Sequence, residues 1–231
     1  MDNEILVRAS KVRRDKKILK VIKLALLIFV LLLIIAYIIV SFVYNNGNFS
    51  VSLDRNLYTK NKLIIYDDPN YKVFRTELYA KTVDYFDNIS YKWLPDDLHE
   101  HVGGSHNGEN YIAYTFYIEN TGDDKVEYYT EIVVDDVIKE VDEAIRVRVY
   151  KEEYEETFAK KGKDGNAEKA TVPFISDTLI TKDNVKNFGP GDIIKYTIVV
   201  WLEGSDPDCN DNILGGEIKM HMQFNSEFIE K

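Results

Sequence analysis

Cysteine is nearly absent: among 231 residues only Cys209 is one. No internal disulfide can form, so the fold must rest on a buried core. Cys209 itself is either a link between two chains or, more plainly, an unpaired thiol. Proline and glycine are sparse, at 5 and 12 residues. No long Pro/Ser/Gly tract provides a disordered stalk, and no fixed-period repeat provides a solenoid. Also missing are the Gly-x-Ser-x-Gly elbow, the phosphate-binding loop and the dinucleotide fingerprint, which removes the commonest hydrolase, nucleotide-hydrolase and dehydrogenase readings. Positive charge is in deficit, with 29 Lys and Arg against 39 Asp and Glu and a net charge of −10. A chain of that sign has no broad basic face for nucleic acid.

What the sequence does have is one long apolar run. Residues 24–44, LALLIFVLLLIIAYIIVSFVY, contain no charge. As an α-helix they extend about 31 Å, close to the roughly 30 Å hydrocarbon core of a bilayer. A helix satisfies its own backbone, as lipid requires. A buried helix of a soluble protein is the alternative, but this run is apolar on every face. A cleaved signal peptide is the other. Its apolar region would be roughly 7–15 residues and would end in a small-x-small site. The exit Ser41-Phe42-Val43-Tyr44 has no such pair. Arg13-Arg14 is reminiscent of a twin-arginine signal, yet the run that follows is too apolar for one. Tyr37 and Ser41 are the polar side chains inside the span and define no ion path. The expectation is an uncleaved anchor.

Eight basic and three acidic residues precede the run. Basic flanks stay on the cytoplasmic side, which places the amino terminus inside and the remainder outside. The organisation expected is a basic cytoplasmic segment at 1–23, a transmembrane helix at 24–44, a polar hinge at 45–48 and an extracellular domain at 49–231.

That domain is rich in Tyr and Phe, which pack well on pleated sheets. Apolar/polar alternation marks strands at 49–53, 111–119, 145–149, 193–202 and 217–224. Shorter or weaker signals mark strands at 63–66, 72–83 and 88–93. A turn at 120–124 suggests that 126–134 returns as the partner of 111–119. Residues 135–144 change period and suggest a short helix, and 181–186 suggest one helical turn. Residues 152–158 and 170–175 form a hairpin-like unit around the turn at 161–165. Many short strands with polar turns predict a mainly β fold, an antiparallel β-sandwich of Ig-like or jelly-roll shape.

Two stretches offer chemistry. In DPDCNDNILGGE, Asp206, Asp208, Asn210, Asn212 and Glu217 stand at positions 1, 3, 5, 7 and 12, the oxygen-ligand spacing of a calcium loop. The sixth position is Asp211 rather than glycine and the flanks are strands, so a plain acidic hairpin loop is the alternative. In HEHVGGSH, His99, His101 and His106 offer imidazoles, and His-x-His on a strand suits zinc. It is not His-Glu-x-x-His on a helix, so no metalloprotease motif is present, and a solvated loop is the alternative. His221 sits on the last strand as a structural or surface residue. The pairs Asp135-Asp136, Asp142-Glu143 and Glu152-Glu153 are carboxylates without an evident cleft. Trp93 and Trp201 could line a carbohydrate platform, although Trp201 ends an apolar strand and fits the core.

The apolar amino-terminal helix, the segment YTFYIENTG at 114–122 and the segment DIIKYTIVVWLE at 192–203 together resemble an uncharacterised family of single-pass surface proteins from low-GC Gram-positive bacteria. More remotely, the chain is similar to the secreted TasA/camelysin jelly-roll group. The resemblance implies an extracellular β-sandwich, and for TasA-like proteins assembly into matrix fibres. The retained helix departs from that group, whose members are released by signal peptidase. No metal-ligand motif of the camelysins carries over to residues here.

The expected function is therefore a non-enzymatic, membrane-anchored extracellular module acting in cell-surface interaction or envelope structure. Its partners would be the membrane through 24–44 and a surface protein or envelope polymer. The alternatives are a metal-dependent surface hydrolase on the His99–His106 loop and a calcium-responsive binding module at 206–217.

Overall fold

In a computed structural model, residues 18–38, 48–83, 85 and 87–227 are described. The chain divides into two units, 1–46 and 47–231. In the first, α1 (Ile18–Ile38) is a 21-residue helix whose side chains are exposed all round. It is long and apolar enough to cross a bilayer and lies near the amino terminus, as a membrane anchor or a signal sequence does. It starts ahead of the expected position 24. The expected stretches 1–17, 39–44 and 45–47 lie outside the described residues.

The second unit packs two sheets face to face. Sheet A has five strands in the order β10 (Leu179–Phe188), β6 (Val126–Ile138), β12 (Glu217–Asn225), β1 (Phe49–Leu53) and β3 (Glu77–Tyr79). Sheet B runs β2 (Leu63–Tyr66), β5 (Tyr111–Asn120), β11 (Ile193–Leu202), β7 (Ile145–Lys151), β8 (Tyr154–Ala159) and β9 (Val172–Pro173), with β4 (Gly104–Ser105) also on β5. The mainly β sandwich expected from alternation is what forms. It is not wholly antiparallel, because β1 pairs with β12 and β8 with β9 in parallel.

The chain passes repeatedly from one sheet to the other, and one such passage corrects the expected hairpin of 111–119 with 126–134. β5 lies in sheet B and β6 in sheet A, so the turn between them crosses the sandwich. The buried side chain of Asn120 holds the crossing: its amide donates to the carbonyls of Asp124 and Phe188, both at 2.9 Å, and its Oδ1 accepts from Gly122 N–H. The expected unit of 152–158 with 170–175 is likewise not a hairpin. β7 and β8 form the hairpin instead, with Glu152 in the left-handed region at its turn.

The two faces of each strand explain which signals were strong. β1 and β12 alternate buried and part-exposed residues along their whole length, because sheet A has one face in the core and one toward solvent. β11 is buried through its second half, because residues 89–98 cover the outer face of sheet B. There Ile89, Leu94 and Leu98 pack on Ala113, Val199 and Trp201. Trp201 is 1% exposed, so it belongs to this layer and not to a platform, whereas Trp93 is exposed.

The covering segment is not the strand expected at 88–93. Ser90 caps a 3-10 turn at Tyr91–Trp93, and only Ile89 bridges to a strand neighbour, Glu203. The strand expected at 72–83 shrinks to β3. The helix expected at 135–144 is replaced by the continuation of β6 to Ile138, paired with Glu217 of β12, and by a 3-10 turn at Val141–Glu143. The helical turn expected at 181–186 is the middle of β10. An unexpected helix, α2 (Arg55–Thr59), is capped by Asp54, whose carboxylate accepts from the Asn56 and Leu57 amides.

Between the sheets, aromatic rings converge on Phe224. Phe116, Tyr128 and Tyr196 place their ring centroids 6.2, 5.7 and 5.7 Å from it. Such tilted and edge-on pairs add to simple area burial.

Candidate functional site

The acidic loop follows directly from the end of β11, and three local bonds shape it. Asp206 Oδ1 accepts from the Asp208 amide at 2.7 Å, the Asp206 carbonyl accepts from Cys209 N–H, and Asn210 Oδ1 accepts from Asn212 N–H to start a 3-10 turn at Asp211–Ile213. These are the self-bonding habits of Asp and Asn that make turns. They aim Asp206 inward, where its side chain is fully buried against Arg146 of β7. Arg146 Nη2 lies 2.5 Å from Asp206 Oδ2 and 3.4 Å from Glu168 Oε2.

Of the five residues at calcium-loop spacing, Asp206 and Asp208 come together, and Glu217 is not among the acidic groups that cluster with them. Asn210 spends its oxygen on the turn, Asn212 is exposed, and Glu217 opens β12 with Lys219 3.9 Å away. The third carboxylate beside Asp206 and Asp208 is instead Glu168, from the segment between β8 and β9. One carboxylate oxygen from each of the three lies within 4.8 Å of the others. Among the described residues this is the one cluster of three such groups able to share a cation. The 160–171 segment is held against the loop by the Lys163 amide, which donates to Asp208 Oδ2 at 3.1 Å.

The electrostatics of the trio follow from this packing. Burial, and then repulsion from Asp206, pushes the Glu168 carboxyl above its usual range, and Arg146 offsets only part of this. Two cations already serve the three carboxylates: the buried Arg146 and the half-exposed Lys163, whose Nζ is 3.9 Å from Asp208. The cluster is thus an ion-pair network with negative charge in excess. Cys209 beside it is half-buried, and burial followed by the nearby Asp206 raises its thiol pKa. A thiol held protonated is a poor nucleophile.

Glu168 and Arg146 were not legible as partners of this loop. The one trace was Arg146 itself, the outward member of the Ile-Arg-Val-Arg-Val alternation, a position that would be solvated if sheet B were covered on one face only.

His99 and the pair His101–His106 make different contacts. His99 lies in the 3-10 turn Leu98–Glu100, with its ring stacked on Tyr150 at 5.2 Å. His101 and His106 stack on each other, with ring centroids 4.0 Å apart and planes 11° from parallel. A histidine ligates through a lone pair in its ring plane, and two planes this nearly parallel do not meet close to the rings. As placed, the pair is a stack and not two arms of a metal site. His106 Nδ1 sits 3.1 Å from the Gly104 carbonyl, and burial lowers its pKa, so the ring is held neutral. His221 lies on β12 and approaches Asp135 at 2.8 Å.

Several of the remaining carboxylates have structural partners. Asp142 and Glu143 both bind Lys160, at 2.8 and 2.7 Å, and Glu152 accepts from the Lys195 amide. The strongest polar hub is one that spacing did not suggest. Glu203, 4% exposed, accepts from Trp201 Nε1, from Tyr91 N–H and from both the amide and the hydroxyl of Ser205. It pins the covering segment 89–98 to the end of β11.

With the fold and these clusters described, comparison with known proteins adds no further guide: the chain matches no protein family, no curated protein and no solved structure.

Proposed function

We propose that the chain is a non-enzymatic module of the cell surface, a β-sandwich tethered to the outer face of a membrane by one amino-terminal helix and acting in surface interaction or envelope structure. The observation that carries this reading is α1. Its apolar side chains are exposed on every side, a state that water penalises and lipid does not. The basic residues before it favour an inside amino terminus, and so an outside sandwich. The resemblance of segments 114–122 and 192–203 to single-pass surface proteins of low-GC Gram-positive bacteria agrees with an envelope setting.

The test is accessibility in intact cells. Lys125, exposed beside β6, is replaced by cysteine in a Cys209→Ala background, and cells making the full chain are treated with a membrane-impermeant maleimide. Labelling of intact cells is expected. Labelling that needs lysis would overturn the outward orientation.

A second reading has one observation in its favour. The approach of Glu168, Asp206 and Asp208 supports calcium stiffening of the loop, with a ligand set other than the one spacing suggested. A ligand that binds only the folded state raises the melting temperature with its concentration over Kd. Calcium at millimolar concentration should therefore raise the melting temperature of the full chain, and Asp208→Asn should abolish the rise. No rise in the unaltered chain removes this reading and leaves the tethered module intact.

A further inference from the structure

The end at which the chain enters the sandwich follows from the pairing. β1 starts at Phe49, opposite Met220 of β12 and so in line with Val134 of β6. β12 and β6 reach past that point to the pair Glu217–Ile138, three residues of β12 and about 10 Å beyond Phe49. Leu214, in the turn before β12, lies on this overhang, where its carbonyl accepts from Lys139 Nζ at 2.6 Å. Sheet B has the start of β7 and the finish of β11 at the same end: the 3-10 turn at Val141–Glu143 leads from Ile138 to β7, and Glu203 N–H donates to the Ala144 carbonyl at 2.9 Å. Residues 80–89 join the two sheets here. The Ala80 amide donates to Phe49 and the Ile89 amide to Leu202, at 3.0 and 2.9 Å.

This end exposes large apolar side chains. Tyr85 of the joining segment is 70% exposed, Trp93 is 74% and Leu214 is 60%, and Tyr91 and Ile138 are exposed as well. Elsewhere Tyr71, Phe74 and Ile193 are exposed too, so exposure alone marks no docking surface. The tether does. In the sequence the apolar run continues to Tyr44, and three polar or small residues, Asn45, Asn46 and Gly47, separate it from Asn48. Four residue steps span at most about 14 Å, of which the overhang takes back about 10 Å. The headgroup layer of one leaflet is roughly 5–7 Å deep.

We propose that this end of the sandwich docks on the surface of the bilayer that holds the anchor, with Leu214 and Ile138 reaching into the headgroup layer and Tyr85, Tyr91 and Trp93 at its level. Tyr and Trp join an apolar ring to a polar edge, which suits that boundary. The exposed charges around them are of both signs, with Asp87, Glu140 and Asp211 beside Lys81, Lys92 and Lys139, so the attraction is to the boundary and not to anionic lipid. The inference rests on the tethered-module reading and gives that module its partner surface.

The chain carries an internal reporter. It has two tryptophans, of which Trp201 is buried. The full chain is reconstituted in phosphatidylcholine vesicles with and without lipid bearing a nitroxide near the top of its acyl chain. Trp93 emission is the difference between the parent chain and Trp93→Phe. The nitroxide should quench it, and Tyr85→Asp combined with Leu214→Asp should relieve the quenching. In the Trp93→Phe background, Leu214→Trp should be quenched. Ile193→Trp, at the start of β11 and so at the opposite end, should not. Replacing half of the lipid with phosphatidylglycerol should leave the quenching unchanged, and quenching that requires it overturns the apolar basis. Flotation of the vesicles after an alkaline wash reports the anchor separately. A chain that floats with Trp93 unquenched, or with Ile193→Trp quenched equally, overturns the docked face and leaves the tether. A chain that does not float overturns the tether, and the docked face with it.

Discussion

Glu203 shows how one charged side chain can be both buried and stabilising. Burial alone would raise its pKa, but the donors from Ser205, Trp201 and Tyr91 outweigh burial and hold it below the usual carboxylate range. A carboxylate whose folded pKa is depressed contributes stability that is present above its unfolded pKa. That contribution is lost as pH falls through the folded value. Glu203→Ala leaves the Trp201 and Tyr91 donors unpaired in a buried site and should cost about 3 kcal/mol in denaturant unfolding at pH 7. Repeating the comparison near pH 3 should shrink the difference between variant and parent; a difference that grows on acidification would contradict the assignment. Glu168 has the opposite sign. Its raised pKa means that folding favours its protonated form, so its own contribution weakens as pH rises through and above the ordinary carboxylate range. None of this was visible in the spacing of acidic residues. A carboxylate's role depends on which donors reach it, and those of Glu203 include Tyr91, 112 residues away.

At the scale of elements, alternation identified the strands whose two faces differ. It failed where pairing overrode local preference. Residues 135–144 have helix-like spacing, yet β6 continues through Asp136 and Val137 because Lys219 and Ile218 of β12 lie opposite and complete the ladder. Residues 181–186 are polar and turn-like, and they become strand because β10 is an edge, where one row of bonds to β6 suffices and the outer side can stay wet. Register shifts near both ends of β10, with Lys182 between them and Lys186 within the second, suit an edge that does not recruit further strands. The crossing from β5 to β6 is tightly constrained. A Cβ added at Gly122 would stand 2.7 Å from the Asn61 carbonyl oxygen, closer than real contacts allow. Gly122→Ala should therefore cost about 1–3 kcal/mol, by displacing either the turn or the segment after α2. Thermal unfolding measures it, and an unchanged melting temperature would show that the turn has slack.

For the whole molecule, the relevant fact is that the chain separates into a helix and a sandwich with its own core. Among the described residues, all twelve strands and every residue of both buried clusters fall after Gly47. A fragment of residues 47–231 should keep a β-type circular dichroism spectrum and melt in a single transition, with no help from a disulfide. Loss of that spectrum on removing the first 46 residues would mean that the helix contributes to folding.

The sequence by itself determined the long apolar helix, the mainly β class and most strand positions, because each rests on a pattern within a few consecutive residues. Length and uniform apolarity define a span, and period-two alternation defines a half-buried strand. Only the tertiary structure decided that β5 and β6 lie in opposite sheets, that residues 89–98 cover sheet B and that Glu168 replaces Glu217 beside Asp206 and Asp208. It also decided that His101 and His106 stack, and that Tyr85 and Leu214 share the end at which the chain enters the sandwich. Each of these depends on side chains brought together from distant parts of the chain, where spacing carries no information about which groups will meet.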